Sequence, residues 1–217
     1  MRKASKIIMV VAMGATAFTS LAGMASAENE LSVRYGDVNV DVAGFGEVNG
    51  EAIGIESRGS YDSGFRYDLD FATVDIDGMG DSEVGALDVA YMMGNFGPAA
   101  AYVFDDGFDD GAFGVGVAAE KQIGSVETYG SLVTDVEEFA EAYRIKVGGR
   151  ADVSDAVMLS AEYENAYDGN GSRSEMIEFG ARYTLVNDTY VDAKFARNME
   201  EMDVNVDVVS VGLGFNF

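Results

Sequence analysis

Beyond residue 27 the chain repeatedly alternates apolar and polar side chains, the period of a strand with one face in an apolar environment. Phe65, Tyr67, Leu69 and Phe71 alternate with Arg66, Asp68, Asp70 and Ala72, and Val157, Leu159, Ala161 and Tyr163 alternate with Met158, Ser160, Glu162 and Glu164. Ile177, Phe179, Ala181, Tyr183 and Leu185 alternate with Glu178, Gly180, Arg182 and Thr184. Carried through the weaker segments, the pattern predicts twelve strands, at 31–42, 50–59, 64–76, 83–94, 96–105, 111–122, 125–136, 140–152, 156–168, 174–186, 189–199 and 204–217, with ten or fourteen as alternatives. Segments 96–105 and 125–136 alternate poorly. In the first segment the apolar phase slips near Gly36-Asp37, where a bulge is expected.

The connections alternate as well. Tight links such as Gly124-Ser125, Ser154-Asp155 and Asn187-Asp188 follow the even-numbered strands. Longer acidic ones, DGMGDSE (77–83), DDGFDDG (105–111) and NMEEMD (198–203), follow odd-numbered strands. Short turns at one end and longer loops at the other are the pattern of a membrane barrel. The fold expected for residues 28–217 is therefore all-β, a transmembrane antiparallel up-and-down β-barrel. A soluble β-sandwich would alternate too. Aromatics near strand ends on the apolar face (Tyr35, Phe65, Tyr91, Tyr143, Tyr163, Tyr183, Phe215) favour the barrel, as does a length that allows about 10 residues per crossing.

Residues 1–27 read as an export leader. Arg2, Lys3 and Lys6 precede a mostly apolar run from Ile7 to Phe18, and Ala25-Ser26-Ala27 has the small-residue form of a cleavage site. Its removal would leave 28–217 as an exported bacterial domain, consistent with the Sec pathway.

Composition narrows the chemistry. The 217 residues contain no Cys, no His and no Trp, and the net charge is −24. Without Cys there is no disulfide or thiolate metal site, and without His a Ser–His–Asp triad is impossible. The acidic balance argues against nucleic acid as a partner. No enzymatic role and no cofactor are expected. The acids Asp105, Asp106, Asp109 and Asp110, or Asp75, Asp77 and Asp81 with Gly80, match a calcium loop only in part, so a solvated acidic rim is the preferred reading.

In a barrel, the residues opposite the apolar face line the interior. That phase assigns the basic residues Arg34, Arg58, Arg66, Arg144, Lys146, Arg150, Arg182 and Lys194 to the lumen, with the acids Glu56, Asp68, Asp70, Asp88, Glu120, Glu127, Glu162, Glu164, Glu178 and Asp192. Arg144, Lys146 and Arg150 form a basic strip that Glu162 and Glu164 are placed to neutralise. Twelve strands give a backbone radius of roughly 12 Å, between filled and open barrels.

The chain's final strand carries Val211, Leu213, Phe215 and Phe217 at every second position. This resembles the assembly signal of Gram-negative outer-membrane barrels. Segment 178–198, EFGARYTLVNDTYVDAKFARN, resembles the penultimate hairpin of general porins, and SYDSGFRYDLDF (60–71) resembles early hairpins of alphaproteobacterial porins. The resemblance implies an outer-membrane location, contact with membrane lipid and lipopolysaccharide, delivery by the barrel assembly machinery, and passive diffusion of small hydrophilic solutes. The chain is shorter than a sixteen-stranded porin and has no long third loop, so no constriction residues carry over. The function expected is a weakly cation-preferring channel. The alternative is a structural or adhesive barrel with a salt-bridged, closed lumen.

Overall fold

Twelve strands follow one another around a closed antiparallel barrel in the computed structural model, which describes residues 29–217 apart from 43–45, 79, 106–109, 138–140, 169–172, 187 and 200–203. The expected leader lies outside the described residues. The strands are β1 (Asn29–Val42), β2 (Gly46–Ser60), β3 (Phe65–Ile76), β4 (Gly80–Tyr91), β5 (Phe96–Asp105), β6 (Asp110–Ile123), β7 (Val126–Asp135), β8 (Ala142–Ser154), β9 (Val157–Asp168), β10 (Arg173–Thr184), β11 (Thr189–Asn198) and β12 (Val204–Asn216). β12 pairs with β1 from Glu30↔Asn216 to Val42↔Val204, which closes the cylinder and leaves no edge. The poorly alternating segments are strands too. On β5 the inner face is Ala99, Ala101 and Val103, so its pattern was blurred by small apolar residues facing inward.

The outer face is a continuous apolar surface. Val33 is 56% exposed, Ile53 59% and Leu213 58%, and the aromatics Tyr35, Phe65, Tyr91, Tyr183 and Phe215 stand exposed among them. An exterior of this kind is stable only in lipid.

Towards the end of the barrel where β1 leads into β2, the polarity of both faces reverses. On β1 the outward series Val33, Tyr35 gives way to Asp37, Asn39 and Asp41, while the inward series Ser32, Arg34 gives way to Val38 and Val40. β2, β3 and β12 change at the same end: Ile53 to Glu51, Phe71 to Asp75, and Val209 to Asp207 on the outside, and Glu56 to Ala52, Asp70 to Val74, and Ser210 to Val208 on the inside. These strands run on past the lipid, so their outer face meets water and their inner face packs as a soluble core would. Val38, Val40, Ala52, Ala72, Val74, Ile76, Val84, Met176, Ala196, Val206 and Val208 form one buried cluster there. Burying each such Val contributes about 1.5–3 kcal/mol.

This reversal corrects two expectations. No bulge occurs at Gly36-Asp37; β1 pairs without interruption on both sides, and the shift of apolar phase marks a change of environment on a regular strand. The register irregularity in this barrel lies in β8, between Asp152 and Ser154. Several acids placed in the connections are strand residues: Asp81 pairs with Asp75, Glu83 with Thr73, and Asp105 with Asp110.

Candidate functional site

The interior is built by the inward positions of all twelve strands. The eight basic and ten acidic residues expected inside stand on the inner face, and each base has a carboxylate within 4.0 Å. Arg34 Nη1 donates to both Asp192 oxygens at 2.9 Å, with both side chains fully buried. Lys194 Nζ donates to Glu56 at 2.7 Å and lies 3.5 Å from Glu178. Glu56 also accepts from Ser32 at 3.2 Å and lies 3.7 Å from Arg34 and from Arg58. Arg58 Nε donates to Asp68 at 3.1 Å. Together these residues tie β1, β2, β3, β10 and β11 into one network.

A second group occupies the opposite side. Asp88 on β4 receives Lys146 at 3.0 Å and Arg144 in a very short contact, both from β8, four places away in the barrel order. Glu164 lies 3.5 Å from Arg144 and 4.0 Å from Lys146. Arg150 donates to Glu127 at 2.8 Å, and Arg66 lies 3.9 Å from Glu120. The expected basic strip on β8 is therefore neutralised differently along its length: Asp88 and Glu164 serve its outer part, and Glu127 serves Arg150. Glu162 instead accepts from the Tyr129 hydroxyl at 2.8 Å.

Local sequence makes room for these contacts. Gly148 lies between Tyr129 and Glu162 in the cross-strand register, and a Cβ there would collide with the Tyr129 ring. The missing side chain lets that ring lie flat across β8 and reach Glu162. Gly212 on β12 plays the same part beneath Arg34 and Asp192, since an added Cβ would come 2.9 Å from Arg34 Nη1.

Sequence reasoning missed three contributors. Glu30 pairs with Arg182 through two hydrogen bonds at 2.8 and 3.0 Å, Tyr190 lies under that guanidinium at 3.7 Å, and Tyr129 holds Glu162. Tyr129 and Tyr190 were legible as inward positions by strand parity, whereas Glu30 lay just outside the expected first strand. The inward apolar cluster was not singled out, because its members are apolar residues at positions where the pattern leads one to expect polar ones.

Two further basic residues pair away from the lumen: Arg197 with Asp207 at 2.6 Å on the outer face, and Arg173 with Glu175. Among the described residues no three carboxylates converge on a metal-sized site. Asp106 and Asp109 lie outside the described residues.

No protein-family model matches this chain, and no curated protein matches it. The barrel is similar in fold to the NanC porin, at 8% identity with a TM-score of 0.62 over 85% of this chain and 98% of that one. It is similar to the COG4313 outer-membrane channel from Pseudomonas putida F1 (12% identity, TM-score 0.59, 90% and 97% covered) and to the KdgM porin (9%, 0.57, 86% and 99%).

Proposed function

We propose that this barrel is an outer-membrane channel for passive diffusion of ions and small hydrophilic solutes. The observation that carries the reading is the interior itself: about a score of ionised side chains line the inner face of a barrel whose outer face is apolar, an arrangement suited to a polar conduit through lipid. The similarity in fold to porins and an outer-membrane channel supports this reading and the outer-membrane location. Arg34, Glu56, Arg58, Arg66, Asp68, Asp70, Asp88, Glu120, Glu127, Arg144, Lys146, Arg150, Glu162, Glu164, Glu178, Arg182, Asp192 and Lys194 are the residues assigned to the wall. Glu30 adds to an acidic surplus there. That surplus and the acidic outer rim favour cations weakly, since fixed negative charge raises the local cation concentration over about 10 Å at 0.1 M salt.

Ion pairing of all eight bases, with an apolar cluster filling part of the outer end, favours a second reading: a structural barrel with a closed interior. Recording single channels in a planar bilayer separates the two. Discrete steps with a reversal potential of cation sign in a KCl gradient support the channel, and a silent, correctly folded barrel supports the closed form.

The outward series Val211, Leu213, Phe215 and Phe217 is proposed as the segment read by the barrel assembly machinery. Lipopolysaccharide and outer-membrane lipid are proposed as the surroundings of the apolar face.

A further inference from the structure

We infer that the conduit is off-axis. It runs along the wall formed by β4 to β8, and Asp88 with Arg144 and Lys146 is its narrowest and selecting point. This rests on the channel reading and adds where in the barrel solute passes.

Three independent features converge on that wall. The first is access to the charged groups. On the β1, β2, β10 and β11 side the charged side chains around Arg34 are packed shut, with Arg34 and Asp192 0% exposed and Lys194 2%, and Glu30 beside Arg182 keeps 14%. On the other side Asp88 retains 25%, Glu120 18% and Arg144 12%, and Arg66 of the adjoining β3 retains 19%. The second is the apolar cluster at the outer end. It is drawn from β1 to β4 and β10 to β12, so it fills that side of the barrel, and among the described residues it takes no member from β5 to β9. The third is wall volume. The inner face of β5 and β6 carries Ala99, Ala101, Gly114 and Gly116, and Ala112 at the outer end is exposed on that face. A cavity of about 90 Å³ lies below, bounded by Asp88, Ala99, Ala118, Tyr129 and Lys146.

The Asp88 contacts cross from β4 to β8 as a chord. Together with β5, β6 and β7 they enclose a segment of lumen whose far wall is mostly Ala and Gly on β5 and β6, with Tyr129, Ser131 and Val133 on β7. A solute in that segment passes one carboxylate and two cations on one side and uncharged, mostly small side chains on the other. Width and charge are thus both set by Asp88 and its partners. Loss of the Asp88 charge releases Arg144 and Lys146 into the passage.

The chain has no cysteine, so a single introduced thiol is the only one present. Ala99→Cys and Ala112→Cys probe the inferred path, while Val206→Cys and Ala196→Cys probe the packed side. Each folded variant is exposed to a positively charged, water-soluble methanethiosulfonate, with labelling read by mass in vesicles and current read in planar bilayers. Ala99→Cys and Ala112→Cys are expected to label and to lose current stepwise, while Val206→Cys and Ala196→Cys stay unlabelled. Asp88→Asn is expected to shift the reversal potential towards anions. Equal labelling on both sides, labelling of the packed side alone, or labelling of Ala99→Cys with no loss of current overturns the inference. A parent that passes no current while the labelling pattern holds overturns the channel reading and leaves the off-axis water path standing.

Discussion

Asp192→Ala tests whether the packed side of the interior is dry. The substitution removes both oxygens that Arg34 Nη1 contacts at 2.9 Å, in a place where neither side chain is exposed. Among the described residues the other carboxylate within ion-pair distance of Arg34 is Glu56 at 3.7 Å, already engaged by Lys194 at 2.7 Å and Ser32 at 3.2 Å. Breaking a buried pair leaves an uncompensated charge and costs about 3–5 kcal/mol. Glu56 offsets part of this, which places the expected loss near the lower end, about 3 kcal/mol. Removing both charges together, as Arg34→Met with Asp192→Ala, is expected to come within about 1 kcal/mol of the parent, because neither ion is then left without its partner. Arg34→Met alone strands the buried Asp192 carboxylate and should also cost about 3 kcal/mol, so the cycle should show a coupling of about 5 kcal/mol. Urea unfolding in lipid vesicles, followed by circular dichroism because the chain lacks Trp, supplies the four free energies. A loss below about 1 kcal/mol for Asp192→Ala, with no coupling, is the value for a hydrated surface pair and would refute the dry interior.

Three other outcomes are expected. Val74→Ala should cost about 1–3 kcal/mol in the same unfolding assay, because Val74 is buried in the inward apolar cluster; a negligible change would mean that water fills this level. Replacing Arg144, Lys146 and Arg150 together with Gln should strengthen cation preference, read as a larger reversal potential in a KCl gradient at low salt that shrinks at high salt; no change would remove the β8 strip from the ion path. Phe215→Ala with Phe217→Ala should lower the fraction of barrel that reaches the membrane, read by heat-modifiable migration on gels, while the same pair of changes at Tyr61 and Phe65 should lower it less.

The sequence determined the strands, their number and the two faces of each, because lipid outside and charge inside impose a period-two pattern that needs no knowledge of neighbours. Phe65 to Phe71 and Ile177 to Leu185 could be read in isolation, and the same parity put Arg34, Lys146 and Asp192 inside. Parity carries no information about height above the membrane. The sequence therefore could not show that β1 leaves the lipid after Tyr35, where Val38 and Val40 turn inward and Asp37 and Asp41 outward with no break in the ladder. Pairing across the interior was equally hidden. Glu162 and Glu164 looked like the partners of the basic strip because they are its neighbours along the next strand; Glu164 is one, 3.5 Å from Arg144, but Asp88 also reaches the strip across three intervening strands. Closure of the sheet decides that contact: it brings β4 and β8 face to face across the lumen, and small residues on β5 and β6 leave the space between them. Which side of the barrel is packed and which is left accessible is a property of the closed cylinder, set by side-chain volumes that meet only once β12 has paired with β1.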